Sequence, residues 1–516
     1  MNKNFLHLGF SVMLTAVVGS GLASCTATSG DGTQPFTLMT PGNPYMPLWE
    51  HIPDGEPYVF EDPDQPGKLR VYVYGSHDSM VDGYCGREQV VWSASVDSLT
   101  QWRYDGEIFS VSRNAEGDQL DPNGLADVLY APDVTLVTGR DGEKTYYLYP
   151  NNQAGGGNGM VCKSSRPDGP FEVINWSREH PNETEGVLRF DPAVFVDDDG
   201  RIYGYWGFGQ SCAAELDPAT MATVKPGTEI VTDMISGYRQ PGEFRFFEAS
   251  SIRKIKDKYV FIFSRFTREG EFGLPTTNYT LAYAYSDHPL GPFTYGGTLI
   301  DGRAREVNEQ GDTIATATVS GNTHGSICEI NGQWYVFYHR QTGLDEYARQ
   351  AMVAPIDVRV EEGPGGRVEI SEGEYTSEGF SLDGLNPLER HSAGIACWYT
   401  GPKVALHAWP NNTFYGSYIA AVRLDTIPGR RQAYALPANS NPVVNNTDGS
   451  IVGYKYFNFS STQANTLLLN LVPAGIDGTI RVMADSPWES KGGILLGTLQ
   501  LTADMPPTLT EMAIPL

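Results

Sequence analysis

The feature that most constrains the fold is a unit that recurs five times between residues 43 and 362. An acidic or polar residue, often near Pro, precedes a strand of alternating apolar residues; a Gly, Asp or Asn turn and an aromatic-rich strand follow. Such turns between alternating strands signal hairpins, and repeated hairpin units of roughly 50 to 75 residues suggest propeller blades. The five pairs of segments are 52–60 with 71–74, 130–134 with 146–149, 190–195 with 202–205, 247–252 with 259–262, and 323–327 with 334–338.

We therefore predict an all-β protein in which a five-bladed β-propeller is followed by a C-terminal β-sandwich. Composition agrees, because 57 Gly, 34 Pro and 11% aromatic residues favour strands and turns. A chain of 516 residues also exceeds one typical core. The predicted domains are a lipoprotein signal peptide (1–24), a lipidated Cys and tether (25–42), the propeller (43–375) and the sandwich (376–516).

The N-terminus predicts export and a lipid anchor. Lys3 precedes an apolar stretch over residues 5–22, and Leu22-Ala23-Ser24-Cys25 resembles a bacterial lipobox. We expect a cell-envelope protein that is lipid-anchored at Cys25, on an outer membrane or facing the periplasm or the surface. No later segment has the 18 or more apolar residues that span a bilayer, so the anchor is the expected membrane contact. The five other cysteines are widely spaced, and we expect them to be mostly free and buried.

The formal net charge of −26 excludes one class of partner. A strongly acidic protein with no basic run repels nucleic acid, whose affinity for proteins comes largely from phosphate neutralisation. We therefore expect no nucleic-acid partner.

Acidic residues at the starts of the repeated units carry the chemistry. The innermost strands of a propeller begin around one central pocket, so residues as distant in sequence as Asp191 and Glu248 can converge there. Hydrolysis of a glycosidic bond requires such convergence. One carboxylic acid protonates the leaving oxygen, and a second carboxylate activates water or attacks the sugar.

The ordered motifs resemble glycoside hydrolase family 43 over roughly residues 43–362. They are Tyr-Ala-Pro-Asp-Val from 130, Phe-Asp-Pro-Ala-Val-Phe-Val-Asp-Asp-Asp-Gly from 190, Phe-Glu-Ala-Ser-Ser from 247 and His-Gly-Ser-Ile from 324. The resemblance implies a five-bladed propeller that hydrolyses with inversion. It also implies a carbohydrate substrate: arabinofuranosyl, xylosyl or related residues on plant or other polysaccharides or on oligosaccharides.

The resemblance also implies roles for the acids. Glu248 matches the general acid, and Asp191 matches the carboxylate that tunes its pKa and orients the sugar. The general base is Asp54 or Glu56, because the stretch Pro53-Asp54-Gly55-Glu56-Pro57 departs from the family's Asp-Pro. Residues two apart on an extended strand face the same side, so both remain candidates, with Asp54 favoured.

Four further residues are candidates for the pocket. The resemblance places His324 near a central metal ion, often a structural calcium, and Arg349 against substrate or acids. Tyr130 stands where the family often has Trp and is a candidate for stacking on a sugar. His77, in Gly75-Ser76-His77-Asp78, is a candidate for the pocket rim.

The C-terminal segment loosely resembles a family 6 carbohydrate-binding module, with Trp398 and Trp409 as candidate sugar platforms. The unusual first-blade stretch also leaves an alternative: a non-catalytic, glycan-binding lipoprotein with a decayed propeller site. A related fructan-acting propeller is disfavoured because its Asn-Asp-Pro-Asn type motif is absent from the first unit.

Overall fold

The computed structural model describes part of the chain, and its strands are numbered in chain order. The first strand is β1 (Asn4–Leu8) and the second is β2 (Phe36–Met39). The described residues are 4–8, 36–79, 83–110, 116, 128–152, 159–181, 183–274, 279–317, 322–343, 346–401, 416–421, 441–460, 464–473 and 475–516.

Within these residues five antiparallel sheets follow one another along the chain and form the blades. Blade 1 has strand order β2-β6-β5-β4-β3, blades 2 to 4 have four strands each in sequence order, and blade 5 has three. Their bounds are β3 (Glu56–Glu61), β4 (Leu69–Tyr74), β5 (Glu88–Ser95) and β6 (Gln101–Ser110); β7 (Asp133–Thr138), β8 (Lys144–Tyr149), β9 (Cys162–Ser164) and β10 (Glu172–Val173); β11 (Ala193–Val196), β12 (Ile202–Trp206), β13 (Cys212–Leu216) and β14 (Val231–Thr232); β15 (Phe246–Ile255), β16 (Lys258–Phe266), β17 (Tyr279–Ser286) and β18 (Thr294–Asp301); and, after the hairpin β19 (Arg305–Val307) and β20 (Thr313–Ala315), β21 (Ser326–Ile330), β22 (Gln333–Arg340) and β23 (Gln350–Ile356).

The first strands of the blades form a closed ring. Strand β7 contacts β11, β11 contacts β15, β15 contacts β21, and β21 contacts β3 of blade 1. Tyr58 on β3 donates a hydrogen bond to Asp133 on β7 at 2.6 Å, which closes the ring. Each of these first strands overlaps one of the five predicted units. The prediction of an all-β, five-bladed propeller is therefore confirmed.

Alternation along the second strand of each blade explains why neighbouring blades pack together. In β4, Val71 and Val73 enter a core shared with blade 5, whereas Tyr72 and Tyr74 enter a core shared with blade 2. Successive residues of a strand point to opposite faces, and both faces of a blade are covered. Each buried aliphatic or aromatic side chain contributes about 1.5–3 kcal/mol of transfer free energy, so these cores hold the ring together.

The C-terminal region is also built from strands. After the hairpin β24 (Val358–Val360) and β25 (Val368–Ile370), a five-stranded sheet has order β26-β29-β1-β31-β32, and two-stranded sheets pair β27 with β28 and β30 with β33. The bounds are β26 (Trp398–Thr400), β27 (Tyr418–Ile419), β28 (Val443–Val444), β29 (Ile451–Phe457), β30 (Thr466–Leu471), β31 (Gly478–Ala484), β32 (Ile494–Leu501) and β33 (Thr510–Pro515). Single turns of 3-10 helix lie at Glu271–Gly273, Ala393–Ile395 and Glu489–Lys491.

This region shares a hydrophobic core with blades 4 and 5. Leu471 and Ile480 belong to the same cluster as Leu281 and Val336. The fully buried Arg340 at the end of β22 donates a 2.7 Å hydrogen bond to the carbonyl of Ala396. The two parts of the chain therefore pack directly against each other.

The described residues bear on several other predictions. Cys85, Cys162, Cys212, Cys328 and Cys397 are all free, and four of them are buried, as expected. No helix in the described part of the chain has the length and hydropathy to cross a bilayer. Strand β1 comes from the segment predicted to be a signal peptide and pairs with β29 and β31 in the structure. Removal of residues 1–24 stays a prediction, and Cys25 and Trp409 lie outside the described residues.

Candidate active site

The blade starts bring together residues that are far apart in sequence. Asp54, Asp191 and His324 each lie two residues before the first strand of their blade, and Glu248 lies at a register shift near the start of β15. Atom Nδ1 of His324 is 3.8 Å from Oδ1 of Asp54 and 3.7 Å from Oδ2 of Asp191. We call the set Asp54, Asp191, Glu248, His324 and Arg349 the upper layer.

The backbone is unusual where these acids turn into the pocket. Asp54 has φ of 60° and Asp191 has φ of 43°, both in the left-handed region that non-glycine residues rarely adopt. Ala249, next to Glu248, has φ of 67°. Conformations of this kind persist where the surroundings over-determine them, and they cluster at functional sites.

Asp54 is buried in a network that stabilises its ionised form. Arg349 donates from Nη1 to both carboxylate oxygens, at 2.9 and 3.1 Å, and the Ser76 hydroxyl donates at 2.6 Å. Burial alone would raise the pKa of Asp54, but the Arg349 charge, then His324 and His339, and the Ser76 hydrogen bond bring that pKa down to about 2. Asp54 is therefore an ionised carboxylate at neutral pH.

Two neutral imidazoles flank Asp54. Burial lowers the pKa of His324 and of His339 to about 4. The backbone N–H of Asp54 donates to Nδ1 of His339 at 3.2 Å, so the proton of His339 lies on Nε2, which donates to the carbonyl of Asn322 at 3.0 Å. The guanidinium of Arg349 is thus the cation that faces Asp54 at neutral pH.

Arg349 is itself held rigidly. Its Nε and Nη2 donate to the two oxygens of Asp78 at 2.9 Å each, which leaves Nη1 for Asp54. This bidentate geometry fixes the guanidinium plane. The predicted contact of Arg349 with the acids is present in the structure, whereas its contact with substrate stays a prediction.

Asp191 and Glu248 have raised pKa values. Asp191 accepts hydrogen bonds from the Asn151 side chain at 2.9 Å and from the backbone of Ala249 at 3.0 Å. Burial, followed by the charge of Asp54, raises the pKa of Asp191 to about 7. Burial, followed by the charges of Asp191 and Asp54, holds the pKa of Glu248 well above its usual range. Glu248 therefore favours the protonated form that a general acid requires.

Glu56 lies further along β3, in a second buried cluster. Its Oε2 forms an ion pair with Nη2 of Arg253 at 2.8 Å. Nε of Arg253 donates a hydrogen bond to the carbonyl of Ile327 at 3.0 Å. The Tyr58 hydroxyl donates to Asp133 at 2.6 Å, and the other oxygen of Asp133 accepts from the backbone of Val194 at 2.6 Å. We call the set Glu56, Tyr58, Asp133 and Arg253 the lower layer.

The structure places the remaining candidates differently. The ring nitrogens of His77 face Glu50 at 3.0 Å and Glu88 at 3.3 Å, away from the upper-layer acids. Ser76 and Asp78, on either side of it, make the contacts with Asp54 and Arg349. Alternation along an extended segment explains this, because neighbours point in opposite directions. Tyr130 is half-buried, and burial followed by Cys85 raises its pKa; the contacts of His77 and Tyr130 with substrate stay predictions.

Sequence reasoning missed the residues that hold the acids: Ser76, Asp78, Asn151, Asn322 and His339. The sequence did contain a signal for Ser76 and Asp78. They flank His77 in the same motif, and on an extended segment they point to the side opposite to His77. Asn151 has φ of 55°, but its side chain meets Asp191 from another blade, and no local pattern predicts such a contact.

The calcium ion stays a prediction, and the described residues supply few side-chain ligands for one. Calcium prefers six to eight oxygen ligands. No group of three or more His, Cys, Asp and Glu side chains with metal-binding geometry occurs within the described ranges. His324 contributes one imidazole, and the charge of Arg349 lies beside Asp54. We therefore derive no catalytic step through a metal ion.

A propeller that brings several carboxyl groups together at its centre fits a glycosidase, and comparison with known proteins agrees. Residues 68–364 match glycosyl hydrolases family 43. A xylosidase/arabinosidase from Thermoclostridium stercorarium is 34% identical over 438 residues, which cover 80% of this chain and 82% of that protein. An arabinoxylan arabinofuranohydrolase from Paenibacillus polymyxa is 27% identical over 489 residues, 89% of this chain and 67% of that protein.

A solved structure of an arabinoxylan arabinofuranohydrolase from Bacillus subtilis, in complex with cellotetraose, shares 22% identity and a TM-score of 0.47. The alignment covers 92% of this chain and 91% of the chain in that structure. On the family match and the 34% identical relative, this chain belongs to glycosyl hydrolases family 43. It is a glycosidase that hydrolyses O-glycosyl bonds.

Proposed function

We propose that the protein is an inverting, exo-acting glycosidase that removes arabinofuranosyl, xylosyl or related residues from polysaccharides or oligosaccharides. One observation carries the proposal: the pKa of Asp54 is lowered to about 2, whereas burial and neighbouring carboxylates raise that of Glu248. Carboxyl groups whose environments push their pKa values apart divide the roles of base and acid. The names of the two relatives above support the choice of sugars.

The reaction follows from these two protonation states. Glu248 donates its proton to the glycosidic oxygen as the bond to the anomeric carbon breaks. Water attacks that carbon from the opposite face, and Asp54 accepts the proton of the water, which gives inversion. The pKa of Asp54 is low for a base, but water that bonds to an oxocarbenium-like carbon becomes strongly acidic, so a weak base suffices.

The contacts favour Asp54 over Glu56 as the base. Asp54 shares His324 with Asp191, and the backbone next to Glu248 binds Asp191. Glu56 is instead paired with Arg253 in the lower layer. In this proposal Asp191 lies between base and acid, orients the sugar and raises the pKa of Glu248, while Arg349 keeps Asp54 ionised.

The remaining predictions join the proposal. The protein is lipidated at Cys25 and faces the periplasm or the outside. Labelling with a radioactive fatty acid, with a Cys25→Ser variant as control, tests this.

The C-terminal region is a sandwich that binds carbohydrate. Trp398 is buried against Trp488, with ring centroids 5.8 Å apart, so the binding surface does not rest on that ring. Elemental analysis of the purified protein, with and without chelator, tests the calcium ion.

The experiment that tests the activity is a panel of aryl glycosides: α-arabinofuranoside, β-xyloside, β-galactofuranoside, and α- and β-pyranosides. Proton NMR of the first product assigns its anomeric configuration. Turnover of one furanoside or xyloside, with inversion, is the expected result.

Glu248→Gln is the decisive variant for this panel. We expect the loss of about 10²–10⁴-fold that removal of a general acid causes. The loss shrinks on a dinitrophenyl glycoside, because that leaving group needs no protonation. A product that retains its configuration, or full activity in Glu248→Gln, contradicts the mechanism.

A further inference from the structure

A buried histidine reaches the candidate base from blade 5 and has no part in the steps described above. His339 lies on β22, and its side chain is fully buried. Atom Nδ1 lies 3.2 Å from the backbone nitrogen of Asp54 and 3.3 Å from Oδ1 of the same residue. On the other side of the ring, Nε2 lies 3.0 Å from the backbone carbonyl oxygen of Asn322 and 2.9 Å from its side-chain oxygen. One imidazole therefore connects the backbone of Asp54 to Asn322.

These partners fix the position of the proton on the ring. Nε2 faces two oxygen atoms of Asn322, which accept hydrogen bonds, so Nε2 carries the proton. Burial lowers the pKa of His339 to about 4, so the ring is neutral at neutral pH and Nδ1 has a lone pair. That lone pair accepts the N–H of Asp54 and cannot donate to the nearby Oδ1. At neutral pH the ring therefore binds the backbone of Asp54, and Arg349 binds its carboxylate.

The backbone of Asp54 needs a partner because its conformation is uncommon. Its φ of 60° lies in the left-handed region, which persists where the surroundings over-determine it. Asp54 is held at both ends, since Arg349 and Ser76 bind the carboxylate and His339 binds the N–H. A buried N–H that loses its acceptor carries the full cost of its desolvation. Removing Nδ1 therefore favours a different backbone conformation at Asp54.

We propose that His339 is a positioning residue of the reaction. Through Nδ1 it holds Asp54 in the left-handed conformation that directs the carboxylate at the attacking water. His339 acts through Asp54 and not on the sugar, so its loss affects the rate of the chemical step more than the binding of substrate. A displaced catalytic group costs up to about 10²-fold in rate. The inference rests on the proposed function in that it takes Asp54 as the base.

Two amide side chains distinguish the roles of the two ring nitrogens. In His339→Asn the amide oxygen is three bonds from Cα, as Nδ1 is, and still accepts the N–H of Asp54. In His339→Gln the amide nitrogen is four bonds from Cα, as Nε2 is, and still donates to Asn322, but the acceptor at Nδ1 is lost. Both amides are polar and uncharged, so each variant is the control of the other.

Steady-state kinetics on the aryl glycoside that the protein turns over compares the two variants. We expect His339→Gln to lower kcat about 10- to 100-fold with KM within about threefold, because substrate still binds but the base is displaced. His339→Asn restores kcat to within about fivefold of the unaltered protein. Circular dichroism checks that both variants are folded. Equal losses in the two variants, full activity in His339→Gln, or a loss that appears in KM would each overturn the inference.

A double-mutant cycle tests whether His339 acts through Asp54. In the Asp54→Asn background, we expect His339→Gln to lower kcat by less than about twofold, because the position of the base no longer matters once the base is gone. A loss that multiplies with that of Asp54→Asn contradicts the inference, since His339 would then act on its own.

Crystal structures of the two variants decide the inference even if Asp54→Asn stays active, which would count against the proposed function alone. We expect φ of Asp54 to stay near 60° in His339→Asn and to leave the left-handed region in His339→Gln. A left-handed Asp54 in both structures contradicts the inference. If His339→Gln does not fold, His339→Asn decides alone, because a loss of the left-handed conformation in that variant would show that Nδ1 does not set it.

Discussion

The upper and lower layers at the centre of the propeller contain the same chemical parts in different arrangements. Each has one arginine paired with a buried carboxylate: Arg349 with Asp54 above and Arg253 with Glu56 below. Asp54 and Glu56 are only two residues apart in the chain. They nevertheless belong to different layers, because Asp54 precedes β3 and turns toward His324, whereas Glu56 begins the strand and lies against Arg253 on β15.

The layers differ in the response to burial of the carboxyl group that is paired with arginine. In the upper layer Arg349, then His324 and His339, and the Ser76 hydrogen bond bring the pKa of Asp54 down to about 2. In the lower layer burial raises the pKa of Glu56 despite Arg253, and burial together with Glu56 raises that of Asp133 to about 7. The ionised form of Asp54 is therefore stabilised in the upper layer, where the reaction requires a base. The lower layer contributes to the stability of the fold.

The sharpest way to break this comparison is to neutralise Asp54 and Glu56 separately. We expect Asp54→Asn to lower kcat by about 10²–10⁴-fold, because it removes the base. Glu56→Gln keeps activity per folded molecule within about threefold, since its carboxylate makes no contact with the upper layer. Steady-state kinetics on the active aryl glycoside measures both variants.

Each variant is the control of the other, because both replace a buried carboxylate by its amide. If Glu56→Gln loses as much activity as Asp54→Asn while both remain folded by circular dichroism, Glu56 takes part in the reaction. The separation into two layers would then be wrong.

The second prediction concerns stability. Glu56→Gln leaves Arg253, whose side chain is 13% exposed, without its charged partner, so the free energy of unfolding is expected to fall by about 1–3 kcal/mol. Urea unfolding at neutral pH measures the change. Glu329→Gln, on the exposed side of β21, is the matched control and stays within about 0.5 kcal/mol of the unaltered protein. A Glu56→Gln variant as stable as that control would show that the lower layer does not stabilise the ring.

The same contrast shows what the sequence can predict. The repeat of hairpin units gives the blades, because turn residues and alternation are local signals. Asp191, Glu248 and His324 are found because each belongs to a motif, near the start of its unit, that resembles one of the family. The argument that residues two apart face the same side failed to separate Asp54 from Glu56, since it assumes an extended strand. The φ of 60° at Asp54 breaks that assumption.

Partners from other blades were the part that the sequence could not predict. Arg253 reaches Glu56 across 197 positions, and Asn151 reaches Asp191 across 40. Such contacts depend on how blades sit around the ring, not on spacing within one unit. His77 illustrates the limit, because the motif pointed to the right segment, but the alternate residues Ser76 and Asp78 make the contacts.

The third prediction sharpens the role of Asp191. After burial, the charge of Asp191 is the main cause that raises the pKa of Glu248. Asp191→Asn removes that charge, so the pKa of Glu248 falls, and the basic limb of the kcat/KM profile moves to lower pH. Because Glu248 must be protonated to act, activity is lost most at the alkaline end of the profile. A profile that keeps its basic limb, with only a uniform loss, would limit Asp191 to orienting the sugar.

The smallest effect comes from Asp133 in the lower layer. It changes how steeply the free energy of unfolding depends on pH rather than the activity. Its folded-state pKa of about 7 is above the unfolded value of 3.8. The folded state thus binds more protons than the unfolded state between these values, and this group makes stability fall as pH rises from about 4 to 7. Asp54 acts in the opposite sense, because a pKa lowered to about 2 contributes stability above pH 4 that is lost as pH falls toward 2.

Asp133→Asn therefore flattens the pH dependence of unfolding between pH 4 and 7 and leaves the acid limb set by Asp54 in place. Asn at this position still accepts from Tyr58, but it loses the acceptor for the backbone of Val194, so the variant is less stable overall. Urea unfolding of both proteins across pH 4 to 8 measures the slope. An unchanged slope would mean that Asp133 is ionised throughout this range, and that the lower layer stabilises charge as well as the upper layer does.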